Sequence, residues 1–453
     1  MPLRFVIIGG GPAGTQAATT AARLGAQVTL VERDLVGGAA HLWDCVPSKA
    51  MIATGDALDQ IEESSAMGLV SATPTLDAEL LRARIQGITD RLERQARELL
   101  ESQGVEIVQG SGRLVDDHQV VVETASGERT FEADAVMDST GSRPRLPEWA
   151  QVDGERVLTT RDAYPPPVLP EHLVVVGSGV TGVEFVHLFT SLGSTVTLVV
   201  SRNQVLPGKD PEVAAVLEDD FVRRGVQLLK GARASGIDVG DDGVVVRCDD
   251  GRSVTASHAL LAIGSVPNTE SLGLDAAGVE MDGPWIRSVD HHMRTNVPHI
   301  YVAGDVSGKL PLSSVATMQG RKIAEHVMGL HKVGHRHLDY EKAASAIFTD
   351  PEIADVGLAE ADAFAEGRKV RVTKVPFAST AKALINGDPR GFVKIISDPY
   401  TGVVLGGSIV GRHAAELISV LAVAVTNGLT VADIAESIFV HLSLTGAPTD
   451  AAD

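Results

Sequence analysis

Cysteine, basic charge and long apolar runs are all scarce in this sequence, and each scarcity narrows what the protein can be. Of 453 residues only two are cysteine, Cys45 and Cys248. That is too few for a disulfide framework and fits a reducing compartment. Lys and Arg number 39 against 59 Asp and Glu, a net charge of −20 with no basic cluster to offset it. A duplex repels such a surface, which argues against nucleic acid as a partner. The stretch "ELISVLAVAV" is short and closely bounded by charge and polarity, so no integral membrane segment is expected. The opening "MPLRFVIIGGG" reaches glycines before the apolar core of a signal peptide would be complete, and the expected location is the cytoplasm.

What is present is an ordinary globular composition, 44% hydrophobic and 22% charged, in a chain long enough for two or three domains. "RFVIIGGGPAGTQAATTAARLGAQVTLVERD" reads as a strand, a glycine turn, an alanine-rich helix and a second strand ending in Glu32. Gly9, Gly11 and Gly14 have the G-x-G-x-x-G spacing in its required context. The first glycine permits the tight turn, the second admits a pyrophosphate to the backbone, and the third lets helix and strand pack closely. The anion then sits at a helix N-terminus, and Glu32 is placed to accept from ribose hydroxyls.

The unit recurs as "HLVVVGSGVTGVEFVHLFTSLGSTVTLVVSRN", with Gly177, Gly179 and Gly182 in the same spacing. Its second strand ends in Ser201-Arg202 where the first has an acid. A carboxylate there repels a ribose 2′-phosphate, whereas Ser and Arg donate to it, so this unit is expected to accept NADPH. Different chemistry at the two strand ends points to two different dinucleotides. "AVMDSTGSRPRLP" and "ALLAIGSVPN" echo each other as apolar strands running into Gly-Ser turns. "HIYVAGDVSG" offers Asp305 to a sugar or ribityl hydroxyl, and from Ala346 the texture changes to a third domain without a glycine fingerprint.

Taken in order, "IIGGGPAG", "GGAAHLWDCVPSK", "STGSRP", "GSGVTGVEF", "GSVPN", "YVAGD" and "FTDPEIADVG" resemble the pyridine nucleotide-disulfide oxidoreductases along essentially the whole chain. The resemblance implies an α/β fold with two Rossmann-like dinucleotide-binding domains, the second inserted in the first, and a C-terminal α+β dimerisation domain. Residues 1–145 and 269–335 would bind FAD, 146–268 NAD(P)H, and 336–453 would form a homodimer interface. Further cofactor contacts are implied at Gly112, Thr140, Gly141, Gly264 and Ser313. Lys49 and Glu184 match an ion pair where hydride reaches the flavin; the lysine favours the negative charge of reduced flavin.

Two departures from the family pattern carry the functional expectation. The family's C-x-x-x-x-C becomes Ala40 and Cys45, so the attacking thiol is missing and no disulfide relay is expected. Near the end, His441 matches the family's histidine, but Gly446 stands where its orienting glutamate would be. An imidazole without that carboxylate loses its fixed tautomer and raised basicity. His441 is then either a proton donor to the acceptor or an interface residue without chemistry. Hydride uptake is kept while dithiol chemistry is lost, so reduced flavin must deliver electrons directly to something small. The leading expectation is an FAD-dependent NAD(P)H:quinone oxidoreductase, accepting NADPH and also NADH, similar to an actinobacterial branch of lipoamide-dehydrogenase homologues. The alternatives are a soluble pyridine nucleotide transhydrogenase, a single-cysteine oxidase or peroxidase cycling Cys45, and a non-catalytic flavin-bearing redox sensor.

Overall fold

"RFVII" is apolar on both faces, as a strand in the middle of a covered parallel sheet must be. In the structure, a computed structural model describing residues 1–70, 74–330 and 337–453, it forms the strand Arg4–Ile8. This strand is central in a five-stranded sheet, ordered Ile300–Val302, Ala135–Asp138, Arg4–Ile8, Gln27–Glu32, Glu106–Gln109. All four pairings are parallel. The helix Pro12–Arg23 returns from the first strand to its neighbour with proline in its first turn. Its small residues Ala13, Ala17, Ala18 and Ala21 are buried, and a side chain on Gly320 of the helix Ser313–Val327 would meet the Ala13 carbonyl at 2.1 Å. The alanine-rich composition therefore serves close helix–helix approach.

The second glycine unit builds the same object again. Its sheet runs Gln227–Lys230, Thr195–Val200, His172–Val176, His258–Leu261, Val157–Thr159, again wholly parallel. The C-terminal region forms a five-stranded antiparallel sheet, ordered Ser345–Ile347, Ile353–Gly357, Val404–Val410, Phe392–Ser397, Arg371–Pro376. The helix Ala414–Asn427 packs Leu417, Ile418 and Leu421 into the core beneath that sheet. The fold is thus the expected one: two Rossmann-like units, the second inserted in the first, followed by an α+β domain.

The chain divides into two compact units. The first comprises Met1–Ser48, Arg82–Arg145 and Ser265–Tyr340; the second comprises Lys49–Leu81, Leu146–Gly264 and Glu341–Asp453. The expected boundary between residues 335 and 336 falls outside the described residues. Among the described residues no helix is long and apolar enough to cross a membrane.

Candidate active site

The two glycine turns have the same geometry. Gly9 has φ of +104°, and a Cβ there would lie 2.4 Å from the Ser139 carbonyl oxygen; Gly177 has φ of +111°, with the Ala262 carbonyl oxygen at 2.3 Å. The third glycines, Gly14 and Gly182, would each drive a Cβ to 1.9 Å from the carbonyl oxygen of the first. The middle glycines differ: a Cβ on Gly11 or Gly179 meets nothing within 4 Å. First and third glycines are required by the protein's own packing, while the middle one faces open space. A pyrophosphate cradled by backbone N–H groups at a helix N-terminus needs that combination, so both turns fit a dinucleotide.

Around the first turn, Glu32 is buried and accepts from Gly10 N–H through Oε2 and Asp34 N–H through Oε1, each at 2.7 Å. Burial raises its pKa above the ordinary glutamate value, and the two N–H donors oppose that rise. A carboxylate has about four lone-pair positions, so these bonds leave it capacity for ribose hydroxyls. Asp305 opens a short 3-10 turn after Gly304 and accepts from the Ser142 hydroxyl at 2.6 Å. Ser313 is the first residue of the helix Ser313–Val327. Gly141 and Gly264 have φ of +70° and +92°, with open space at the Cβ position. Gly112 has a packing reason of its own: a Cβ there would press on Ile8 and Val31 side chains at 3.2 Å.

The two echoing segments pair with each other. Ser142–Pro144 runs antiparallel to Ser265–Pro267. The Thr140 hydroxyl lies 2.9 Å from Asp138 Oδ1 and 2.8 Å from the Asn268 carbonyl oxygen. Asp138 was not anticipated, although an acid inside the apolar "AVMDSTG" was the available signal. It is buried, its Oδ2 has no hydrogen-bond partner among the described residues, and burial pushes its carboxyl up to about 7.

"GGAAHLWDCVPSK" folds as a glycine turn followed by a π-helical turn, Ala40–Asp44, and then the helix Cys45–Glu63. Gly37 N–H donates to the Gly10 carbonyl at 2.9 Å, and a Cβ on Gly38 would lie 2.6 Å from Gly11 Cα. The segment is therefore seated directly on the first phosphate-type turn. Cys45 is exposed and Cys248, on the strand Gly243–Cys248, is buried, and neither forms a disulfide.

One helical turn beyond Cys45, Lys49 Nζ lies 2.7 Å from Glu184 Oε2. Glu184 belongs to the helix Val180–Ser191, which begins at the second glycine turn. Its Oε1 accepts from the Phe348 N–H at 3.0 Å, and Lys49 Nζ lies 4.9 Å from the centre of the Phe348 ring. The glutamate side chain is 9% exposed and the lysine 32%. A carboxylate so buried needs a cation and a donor, and it has both. The role of Phe348 was not legible, although its motif "FTDPEIADVG" was.

The remaining expected residues lie apart from this pair in sequence. Ser201 and Arg202 are exposed just past the strand Thr195–Val200. His441 is exposed in a turn ahead of the C-terminal helix Gly446–Ala452.

Two dinucleotide folds in one chain, with a lysine–glutamate pair joining a helix of the redox segment to the helix of the second turn, define an oxidoreductase of the two-nucleotide class. The chain belongs to the pyridine nucleotide-disulphide oxidoreductase family: residues 3–320 match its main domain and 343–452 its dimerisation domain. That family works with FAD and NAD(P)H. Among its relatives is the NAD(P)H dehydrogenase (quinone) of Mycobacterium tuberculosis, 42% identical, spanning 100% of this chain and 94% of that protein. The crystal structure of LpdA from the same organism superposes with a TM-score of 0.94 at 42% identity, covering 99% of each chain. The dihydrolipoyl dehydrogenase of Zymomonas mobilis is 35% identical over 98% of this chain and 96% of its own length.

Proposed function

We propose that this protein is a homodimeric, cytoplasmic, FAD-dependent NAD(P)H:quinone oxidoreductase. The net reaction is NAD(P)H + H⁺ + quinone → NAD(P)⁺ + hydroquinone, so one hydride equivalent and one proton reach the acceptor. The observation that carries this reading is the Lys49–Glu184 pair at 2.7 Å beside a redox segment with Ala40 in place of the first cysteine. A pair of the kind that would serve hydride uptake is kept, while Ala40 replaces the thiol that would attack a disulfide. The relative named for quinone reduction supports the same acceptor class.

The chemistry supplied by bound FAD is two-electron storage between nicotinamide and acceptor. The protein's part is placement and charge. Backbone N–H groups after Gly9 and Gly177 would hold the two pyrophosphates, while Glu32 and Asp305 would accept from sugar and ribityl hydroxyls. Lys49 presents positive charge where negative charge develops, and Glu184 holds its ammonium in one position. Ser201 and Arg202 would donate to the 2′-phosphate of NADPH, and NADH is accepted as well, without that contact. His441 supplies the proton for the hydroquinone. The domains of this reading are residues 1–145 with 269–335 for FAD, 146–268 for NAD(P)H and 336–453 for dimerisation.

The test is anaerobic NADPH oxidation with a naphthoquinone, with lipoamide and with thio-NAD as acceptors. Turnover with the quinone and little with the other two is expected. Efficient lipoamide reduction overturns the absence of a relay, and efficient thio-NAD reduction makes the enzyme a transhydrogenase.

A further inference from the structure

Away from the glycine turns, the surface of the first unit gathers three metal-type donors from two segments far apart in sequence. Asp117 and His118 lie in the turn joining the antiparallel strands Ser111–Leu114 and Gln119–Thr124. His299 immediately precedes the strand Ile300–Val302, which leads to Gly304 and Asp305. One donor atom from each of the three lies within 4.8 Å of the other two, and no other group of three does so among the described residues. The His118 and His299 rings stack with centres 4.0 Å apart and planes 3° from parallel.

The proton positions on both rings are fixed by what they face. His118 Nδ1 lies 2.8 Å from the Ala133 carbonyl oxygen, and His299 Nε2 lies 2.6 Å from the Asp117 carbonyl oxygen. A carbonyl oxygen only accepts, so each of these nitrogens carries the hydrogen. A neutral ring then keeps its lone pair on the opposite nitrogen, Nε2 of His118 and Nδ1 of His299. An N–H donated to a backbone carbonyl is how metal-bound imidazoles are commonly oriented. Asp117 adds a carboxylate whose Oδ2 is 3.9 Å from His299 Nε2, so the His299 ring must give up its bond to the Asp117 carbonyl and turn to offer a lone pair beside that carboxylate. The net charge of −20 raises the cation concentration around the whole surface.

We propose that Asp117, His118 and His299 form a binding site for a divalent first-row transition ion of the Zn²⁺ or Ni²⁺ kind, separate from the redox centre. Two imidazoles and one carboxylate suit such ions, whereas Mg²⁺ and Ca²⁺ require oxygen donors throughout. Three protein donors leave coordination positions for water. Metal–ligand distances of about 2.0–2.2 Å put neighbouring donors about 3–3.5 Å apart, closer than a parallel ring stack allows. The rings therefore splay as the ion binds, His118 pivoting about its bond to the Ala133 carbonyl and His299 exchanging its bond to the Asp117 carbonyl for the ion. Asp117 and His118 are exposed, and the His299 side chain is 22% exposed. The bound ion ties the hairpin turn to the start of the strand that delivers Asp305, and stabilises the folded state by mass action.

The test is equilibrium dialysis of the purified flavoprotein, freed of metal by a chelator, against Zn²⁺, Ni²⁺ and Mg²⁺ separately. The wild type should bind one Zn²⁺ per chain more than the His118→Ala/His299→Ala double variant, and Mg²⁺ should show no such difference. Each single variant, and Asp117→Asn, should weaken that ion by about tenfold or more. Zn²⁺ should raise the thermal midpoint of the wild type more than that of the double variant. Unchanged FAD content and quinone turnover in the variants establish that they fold. Equal Zn²⁺ stoichiometry in wild type and double variant overturns the proposal and moves the ion elsewhere, for instance to the contacting rings of His291, His292, His326 and His337. Binding that never saturates overturns it as well, leaving an adventitious ion only.

Discussion

Glu184 divides its carboxylate between two tasks: Oε2 holds the Lys49 ammonium at 2.7 Å, and Oε1 accepts from the Phe348 N–H at 3.0 Å. The pair is therefore anchored to backbone and not free to wander. Lys49→Ala should slow reduction of the flavin by NADPH about a hundredfold or more, since it removes preorganised charge at the reacting ring. Glu184→Gln keeps the Phe348 hydrogen bond and loses the counter-charge, so a smaller loss is expected. Stopped-flow absorbance of the flavin under anaerobic conditions measures both, and an unaltered rate in Lys49→Ala removes the lysine from the redox chemistry.

Cys45 is exposed and has no sulfur at residue 40 to pair with. Reductive titration should stop at two electrons per FAD, where a working disulfide would take up two more. Cys45→Ser should leave quinone turnover within about tenfold, a barrier change near 1.4 kcal/mol. Complete loss of turnover in this variant would give the thiol an essential role. Ala40→Cys should leave lipoamide reduction poor, because Gly446 still deprives His441 of a carboxylate.

Ser201 and Arg202 stand exposed past the strand Thr195–Val200. Ser201→Glu should raise KM for NADPH while sparing that for NADH, because the new carboxylate faces a phosphate in one case and a hydroxyl in the other. Steady-state kinetics with both nucleotides decides it, and a wild type inactive with NADPH overturns the reading of this strand end.

Gly11 and Gly14 belong to one motif and should respond differently to alanine. Gly14→Ala drives a Cβ to 1.9 Å from the Gly9 carbonyl oxygen and should yield little folded protein. Gly11→Ala meets nothing within 4 Å, so it should fold and lose FAD affinity instead. Soluble yield, circular dichroism and flavin content distinguish the two, and equal damage by both would argue against a pyrophosphate at Gly11.

Asp138 gives the first unit a pH dependence of defined sign. Burial pushes its carboxyl from the ordinary 3.8 up to about 7, so the folded state holds a proton that the unfolded state releases. Its contribution is greatest below the unfolded value and is lost as pH rises through about 7. Asp138→Asn should flatten the decline in stability between about pH 5 and about pH 8 by roughly 2–4 kcal/mol. Glu352, also raised to about 7 by burial, adds a parallel slope that this substitution leaves in place. Urea midpoints across that range test it; an identical slope in the variant refutes the assignment.

Much of this protein could be read from its sequence, because much of it is local. A tight turn needs its glycines at fixed spacing, and a strand buried on both faces needs an uninterrupted apolar run. Gly9, Gly11 and Gly14, and their counterparts Gly177, Gly179 and Gly182, therefore announced two dinucleotide folds, and Glu32 and Ser201-Arg202 announced different strand-end chemistry. Ala40 and Gly446 were legible as departures from a known pattern. Tertiary structure alone decided how distant segments share a charge or a proton. Glu184 meets Phe348 across 164 positions, and Ser142 meets Asp305 across 163. Burial of Asp138, and the stacking of His118 on His299 across 181 positions, arise from the order of strands in a sheet. Local spacing fixes a turn because steric rules act between near neighbours, whereas a desolvated carboxyl or a gathered set of ligands depends on which strands the folded chain lays side by side.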